Sequence, residues 1–475
     1  MKKLIDYLNY KIIFIIFSTL LLVPSIFYLV VNKSLMNLSV TYNLFYLPYI
    51  EKGETFRFIT GILYFVIFII IAYSYYKLLK DRKKYFKSKN GMIAFVIITS
   101  LIYTCILPMT SSDVFYYMAT GHIEAKYDVN PYYTTVQDII DNNDVEKDNI
   151  IQKSPTVWRE TLVVYGPLNA KVNMILSKIA GDNINISLFV FKLFNLIIHL
   201  INMYLIYIIT NKKKVFALIY GINPFVLFEL LSNVHNESLM ILFMLCAMYF
   251  LIKKKRLIPS IIMLALATTV KYIAILIVPF VVIYFLKDKK VSQRIIISIC
   301  MAIIYTLTIV TTYLICYGNI EILLNMFNQQ DKISQSIYIA LVVVMNVKTA
   351  LIVAKVVLLI FAIMYMIIVI KLLFSPKISK IKTVNTYTLI MLTFLFIVLT
   401  NFKTWYLLWL IPSIFLQRGK VANCMIDLGI ASQLANIIFF AYSEAYVYGV
   451  QFLFLLFGFT AILQIYRYKT IEKST

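Results

Sequence analysis

Residues 57–76 read RFITGILYFVIFIIIAYSYY, and the stretch that follows carries Lys77, Lys80, Arg82, Lys83, Lys84, Lys87 and Lys89. About 20 apolar residues at roughly 1.5 Å each suffice to cross the hydrocarbon core of a bilayer. Lys and Arg collect on the cytoplasmic side of such spans. This stretch therefore sets both class and orientation: a membrane-spanning helix that ends in the cytoplasm.

The same alternation recurs in both directions. Candidate spans are 12–31, 57–76, 92–108, 186–210, 215–231, 237–252, 295–315, 349–373, 385–402, 404–417, 421–441 and 449–466. Further cations cluster between them: Lys212 to Lys214, Lys253 to Arg256, Lys287 with Lys289, Lys290 and Arg294, then Lys377, Lys380 and Lys382, and finally Arg467, Lys469 and Lys473. Placing every cluster in the cytoplasm agrees with the span order and puts both termini there. Residues 109–185 then form a large outer loop with interfacial helices. Residues 318–335 form a second, shorter outer loop, and 336–348 lie along the surface, so that 318–348 as a whole is outside. Residues 259–286 are apolar yet sit between two basic clusters. They read as a helical hairpin of two half-helices with Lys271 near its turn, and a single span is the other reading. The fold expected is all-α: one integral membrane domain over 1–475 with about 12–14 membrane helices.

Composition agrees. Apolar residues make up 61% of the chain and charged residues 14%, with a mean hydropathy of +0.84. Soluble domains hold roughly 45–50% apolar residues, so no large soluble domain fits here. The net charge of +23 could suggest nucleic acid, but its confinement to short inter-span clusters argues for the positive-inside pattern instead. Cys105, Cys246, Cys300, Cys316 and Cys424 lie in or beside apolar segments without a CxxC pair, and read as small core residues. Lys2, Lys3 and Lys11 precede the first apolar run and no small-x-small cleavage site follows it, so an uncleaved first span is expected.

The outer loop holds most of the polar chemistry. Asp113 stands a few residues past a helix end, at the outer interface. Ionisable groups there are costly unless solvated or paired, and often functional. Its carboxylate suits a general base. Ser111-Ser112-Asp113 before an aromatic run is equally an N-cap signature. Gly121-His122-Ile123-Glu124, Tyr127-Asp128, Asn130-Pro131-Tyr132, Trp158-Arg159 and Tyr165-Gly166-Pro167 follow. Aromatic rings with hydroxyls and amides suit sugar binding, and the interfacial aromatic belt accounts for many of the other tyrosines. His235, Asn236 and Glu237 fall in a short outer turn. Lys192 and Glu229 lie inside spans, where they would be expected to seek partners, one another included. No P-loop, GxGxxG, HExxH or His/Cys ligand cluster is present.

Three stretches carry a resemblance. Ser112-Asp113-x-x-Tyr116-Tyr117-x-x-x-Gly121 with Asn130-Pro131-Tyr132 resembles the first-loop signature of bacterial and mycobacterial mannosyltransferases of the GT-C superfamily. Ala267-Thr268-Thr269-Val270-Lys271-Tyr272, with Pro279 after it, resembles their A-x-x-x-K…P segment. Trp405-Tyr406-Leu407-Leu408-Trp409-Leu410-x-Pro412 resembles their late W-Y-L-L-W-x-x-P segment. The stretches span 108–412 in the expected order. The chain departs at His235-Asn236-Glu237, where many relatives carry Asn or Gln followed by Asp.

The resemblance implies a membrane glycosyltransferase. It would take a hexose, mannose first, from a polyprenyl-phosphate sugar and pass it with inversion to a hydroxyl of a glycan, glycolipid or protein on the outer face of the cell membrane. Asp113 would be the base. Lys271, Arg159, His235 and Lys403 are the candidates for donor phosphate, and a snorkelling role at the hairpin tip is the alternative for Lys271. Tyr116, Tyr117, Asn130, Tyr132, Tyr165, Asn236, Glu237, Trp405 and Tyr406 are the candidate substrate contacts. No cofactor is expected to be required. Asp113 with Glu124 or Asp128 leaves a divalent ion open, though no spacing demands one. Partners expected are membrane lipids, the lipid-linked donor and the acceptor, with no nucleic acid. A transporter or flippase is the rival class, and an inactive structural subunit a third.

Overall fold

The computed structural model of the chain describes residues 9–32, 49–108, 110–142, 148–329, 333, 336–416 and 420–441. It is all-α, with no β-strand among the described residues. Five helices are long and apolar enough to cross a membrane: Gly61–Lys80, Ile184–Ile209, Val291–Tyr317, Val347–Leu373 and Lys380–Val398. Lys214–Gly221 and Pro224–Ser232 make a sixth if counted as one span bent by 47°. The other apolar helices run 10–17 residues: Tyr10–Ile26, Lys89–Cys105, Glu237–Ile252, Leu257–Thr268, Tyr272–Phe285 and Thr404–Ile414. The dozen or more membrane helices read from the sequence thus divide into full spans and shorter pieces. The stretch expected as the span 404–417 is one of the pieces, a 3-10 run Thr404–Leu410 followed by Ile411–Ile414. The expected last span, 449–466, lies outside the described residues.

Packing divides the chain into two compact units. The described residues of Met1–Val163, Asn169–Ser238 and Asn436–Ser443 form the first; those of Val164–Leu168, Leu239–Ala435 and Glu444–Thr475 form the second.

In the first unit the opening apolar run is two helices, Tyr10–Leu20 and Val23–Asn32. Pro24 explains the break: it has no N–H for the carbonyl of Leu20, and its ring would collide with that carbonyl. Tyr10–Leu20 lies along Tyr49–Lys80, with Phe14 fully buried. The described residues of 109–185 are mostly helical, as Asp113–Tyr127, Val136–Asn142, Asn149–Gln152, Thr156–Trp158 and Pro167–Ala180. Asp113–Tyr127 is buried from Val114 to Glu124. Gly121 permits this, since a Cβ there would strike the backbone carbonyl of Asn173. Asn183 caps Ile184–Ile209 by accepting from the amides of Asn185 and Ile186. Pro224 forces the bend in the next span, and Asn223 caps the restart by accepting from Phe225 at 3.0 Å. Phe228–Ser232 then winds as a π-helix.

In the second unit residues 259–286 form two short helices, Leu257–Thr268 and Val278–Phe285, separated by a bend and the 3-10 stretch Tyr272–Ile277. The two helices pack on one another. Lys271 is extended at the bend, with φ −148° and ψ 122°. Val291–Tyr317 packs on Leu257–Thr268. Val347–Leu373 exposes Ile352, Leu359 and Ile363, an outward apolar surface suited to lipid. The cysteines do not follow the core reading: Cys105 in the first unit and Cys300 in the second are exposed on helix flanks, where a lipid-facing apolar side chain meets no penalty.

Candidate functional site

Asp113 opens the helix Asp113–Tyr127 as its first residue, so its carboxylate meets the positive end of the helix dipole. It is not the N-cap. That position belongs to Ser112, whose side chain makes no cap hydrogen bond. The Asp113 amide is taken up by Ser111 Oγ at 3.2 Å. Its side chain is 14% exposed and faces His235, Nδ1 to Oδ2 3.5 Å. The other imidazole nitrogen, Nε2, lies 3.2 Å from Glu229 Oε2. His235 and Glu229 are both fully buried.

Asn233 closes these groups into a ring. Its amide donates to Glu229 Oε2 at 2.8 Å and to Thr110 Oγ1 at 2.8 Å. Its carbonyl oxygen accepts from the Thr110 amide at 3.3 Å. Thr110 leads directly to Asp113, so the ring runs Asp113, His235, Glu229, Asn233, Thr110. Two backbone features shape it. The π-turn Phe228–Ser232 carries Glu229, and π-bulges are frequent at functional sites. Val234 has φ +62°, a left-handed conformation that costs a β-branched residue about 1–2 kcal/mol. Strain of this kind persists only where the surroundings impose it, and here it sits between the two ring members Asn233 and His235. Burial alone lowers the His235 pKa, but contact with Asp113 and Glu229 outweighs it and raises the value to about 9. The imidazolium is the form held at neutral pH, and it is lost as pH rises through about 9.

Lys192 and Glu229 do not pair with one another. Glu229 belongs to the ring. Lys192 is buried and donates to the carbonyls of Ile106 at 2.6 Å, Leu231 at 3.0 Å and Ser232 at 2.9 Å. It ties the end of Lys89–Cys105 to the end of the π-turn, and those are the two chain segments that lead into the ring.

The other candidates from residues 109–185 are spread along the segment. Tyr116 is buried and donates to the Thr161 carbonyl at 3.0 Å. Burial, then the charge of Asp113, raises its pKa well above the usual phenol value. Tyr117 and Tyr132 are buried. Asn130 shapes its own turn, its side-chain oxygen accepting from the Tyr132 amide at 3.0 Å. Arg159 donates to Ser154 and to the Gln152 carbonyl, which engages its guanidinium within its own loop. Glu124 pairs with Lys171. It lies eleven residues along the helix from Asp113, about 16 Å away at helical rise, and Asp128 sits beyond it as the left-handed C-cap. Neither accompanies Asp113. Among the described residues no group of three His, Cys, Asp or Glu side chains is placed to hold a metal ion. Asp148 anchors a second polar cluster, contacting His122, Lys126 and Tyr127 at 2.9 Å each. Burial works to raise its pKa, and those three partners reverse that and hold the carboxyl well below the usual range. Asn236 and Glu237 are buried beside His235, and Glu237 starts the next helix.

The second unit has a different feature. Lys271 Nζ lies 4.9 Å from the ring centre of Tyr406, 5.5 Å from Trp409 and 5.6 Å from Tyr165. Tyr406 and Trp409 stack at 4.3 Å, placed one helical turn apart by the 3-10 run. Tyr165 is held because its segment is strapped to the bend: Gly166 and Leu168 donate to the carbonyls of Val270 and Thr269 at 3.2 and 3.1 Å. Only glycine fits at 166, since a Cβ would strike the Thr269 backbone. Lys271 and these rings line a cavity of about 410 Å³ whose walls include Leu276, Leu358 and Phe394, with Lys355, Thr400 and Asn401 as further polar members. Trp405 packs edge-on to Tyr406 at 6.0 Å outside the lining, and Lys403 is the N-cap residue of the 3-10 run. Sequence reasoning missed Asn233, Thr110, Trp409 and Lys355. Trp409 stands inside a motif already singled out, and Lys355, like Lys271, is a lysine within an apolar run.

These features define a polytopic, all-α membrane protein with a carboxylate–imidazolium–carboxylate ring in one unit and an aromatic-flanked lysine at an apolar cavity in the other. Residues 19–287 match the family described as alpha-(1->6)-mannopyranosyltransferase, N-terminal domain, and the chain belongs to that family. The match includes Asp113, His235 and Lys271; Tyr406 and Trp409 lie beyond it. The alpha-(1->6)-mannopyranosyltransferase A of Corynebacterium glutamicum is 26% identical over 192 residues, 40% of this chain and 37% of that relative. The similarity therefore spans well under half the length of either protein.

Proposed function

We propose that the protein is a membrane mannosyltransferase that takes its sugar from a polyprenyl-phosphate donor on the extracytoplasmic face. The observation that carries this reading is the Asp113–His235–Glu229 ring, in a chain of the mannopyranosyltransferase family. An acceptor hydroxyl attacks C1 of the mannose. Its proton passes to the Asp113 carboxylate. The bond from C1 to the phosphate oxygen breaks, and polyprenyl phosphate leaves with the electron pair. The His235 imidazolium faces Asp113 and orients it, and Glu229 lies against the other imidazole nitrogen. General-base assistance of this kind contributes about 10²–10⁴-fold.

Lys271 and its cavity are assigned to the donor. A compact ammonium suits a phosphate oxygen, and the apolar walls suit a prenyl chain. Rings beside the lysine add cation–π attraction and flat faces on which a pyranose can stack. The acceptor is a hydroxyl compound of the cell envelope, a glycan, glycolipid or protein.

The test is a coupled assay in proteoliposomes with polyprenyl-phosphate mannose labelled in the sugar. Release of polyprenyl phosphate together with mannose gained by an acceptor supports the reading. Movement of intact donor across the bilayer without bond cleavage overturns it in favour of a transporter or flippase. Sidedness is tested separately. A cysteine at Asn142 should react with an impermeant reagent from outside, and one at Lys84 should not; the opposite pattern removes Asp113 from the outer face.

A further inference from the structure

A second cavity lies in the first unit, apart from the Asp113 ring. Arg82, Lys83, Lys87, Lys213 and Lys214 line one pocket of about 420 Å³, and no carboxylate lines it among the described residues. The cations come from two loops far apart in sequence. Their convergence is built, since Lys214 Nζ donates to the Lys87 carbonyl at 3.5 Å. The floor is packed core: Leu218 is fully buried and Phe86 nearly so, with Lys11 Nζ 4.6 Å from the Phe86 ring centre. Arg82 Nη1 donates to the Leu79 carbonyl at 3.3 Å, and the cluster at 287–294 is satisfied by the chain itself. In the second unit Lys287 pairs with Asp288, and Arg294 donates to the carbonyls of Lys287, Lys289, Leu373 and Ser375. The positive-inside tendency explains why cations are in these loops. It does not explain a concave pocket that gathers five of them without acidic partners, where mutual repulsion favours a bound counter-charge.

We propose that this pocket binds a phosphate-bearing polyanion, its phosphates meeting Arg82, Lys83, Lys87, Lys213 and Lys214 over the apolar floor. The volume falls in the range of small-ligand sites. Arg82 offers a planar fork for a phosphate edge, and the lysines offer point charges. Two sources share this chemistry: the headgroup of an anionic phospholipid, or a free diphosphate. The site is independent of the proposed transferase reaction and would stand if that reading failed.

The experiment uses the full chain. Binding of inorganic pyrophosphate is measured in detergent by thermal shift. Retention of phosphatidylglycerol against phosphatidylcholine is measured by native mass spectrometry after release from nanodiscs. Either probe binding supports the site and names the source. The double variant Lys87→Gln with Lys213→Gln should weaken that probe about 25-fold, taking roughly fivefold per removed cation. A control of equal charge, Lys253→Gln with Lys254→Gln, should leave it unchanged. Should the double variant not fold, the single Lys213→Gln should weaken binding roughly fivefold. Failure of both probes to bind, or an equal loss in the control, overturns the proposal.

Discussion

The Asp113 ring and the Lys271 cavity hold their charges by different means. In the ring, two carboxylates, an imidazolium and an amide hold one another over contacts of 2.8–3.5 Å. At the cavity, three aromatic faces stand 4.9–5.6 Å from an ammonium. Ion pairs and hydrogen bonds are directional and fix one geometry. Cation–π attraction is broader, on the order of 0.5–2 kcal/mol, and tolerates movement of the cation. The first arrangement suits a group that must sit in one place for proton transfer. The second suits one that must follow a flexible lipid phosphate.

The sharpest way to break this contrast is Asp113→Asn. Size is kept and ionisation is lost, so transfer should fall about 10²–10⁴-fold with yield and melting temperature unchanged. Near-normal turnover would reduce Asp113 to a helix-terminal charge. Next is Lys271→Ala, which removes a charged contact of about 1.5–3 kcal/mol and should raise the donor KM roughly 10–100-fold while leaving acceptor KM alone. An unchanged donor KM would leave the cavity without its assigned ligand. Trp409→Leu should raise the same constant only about 2–30-fold, from the cation–π range. A larger effect than Lys271→Ala would mean the rings stack on sugar directly.

The gentlest test is Glu229→Gln. The raised His235 pKa means the protonated form is fully present below the ordinary histidine value and is lost as pH rises through about 9. Removing one of the two carboxylates should draw the alkaline limb of the pH–rate profile downward by about 1–3 units, with little change near pH 6. An unmoved limb would show that His235 does not set it.

What the sequence revealed of these two regions follows from the range of the interactions. Lys271 was legible because a lysine in an apolar run is conspicuous by itself, and the Trp405 to Pro412 motif pointed to Tyr406. Asp113 was legible by its place after a helix end. His235 was singled out too, as a phosphate candidate, but its place between Asp113 and Glu229 was not foreseen. Thr110 meets Asn233 across 123 residues, and no local pattern announces that pairing. The π-turn at 228–232 looks like ordinary helix in composition, so Glu229 could be marked as buried but not assigned a partner. Membrane segments followed the same rule. Val347–Leu373, a long uniform run, is nearly the expected 349–373. The 404–417 stretch, broken up by aromatics and Pro412, is not a full-length helix.

Lys192 has a consequence for biogenesis. A lysine a third of the way along Ile184–Ile209 costs up to about 3 kcal/mol to place in lipid. One of its acceptors, the Ile106 carbonyl, is already synthesised when this helix enters the membrane. The other two, on Leu231 and Ser232, emerge forty residues later, about 2–8 s at ordinary rates of translation. Throughout that interval Lys192 lacks two of its three acceptors. Its full set is complete only once the segment that bears Glu229 and His235 has been made.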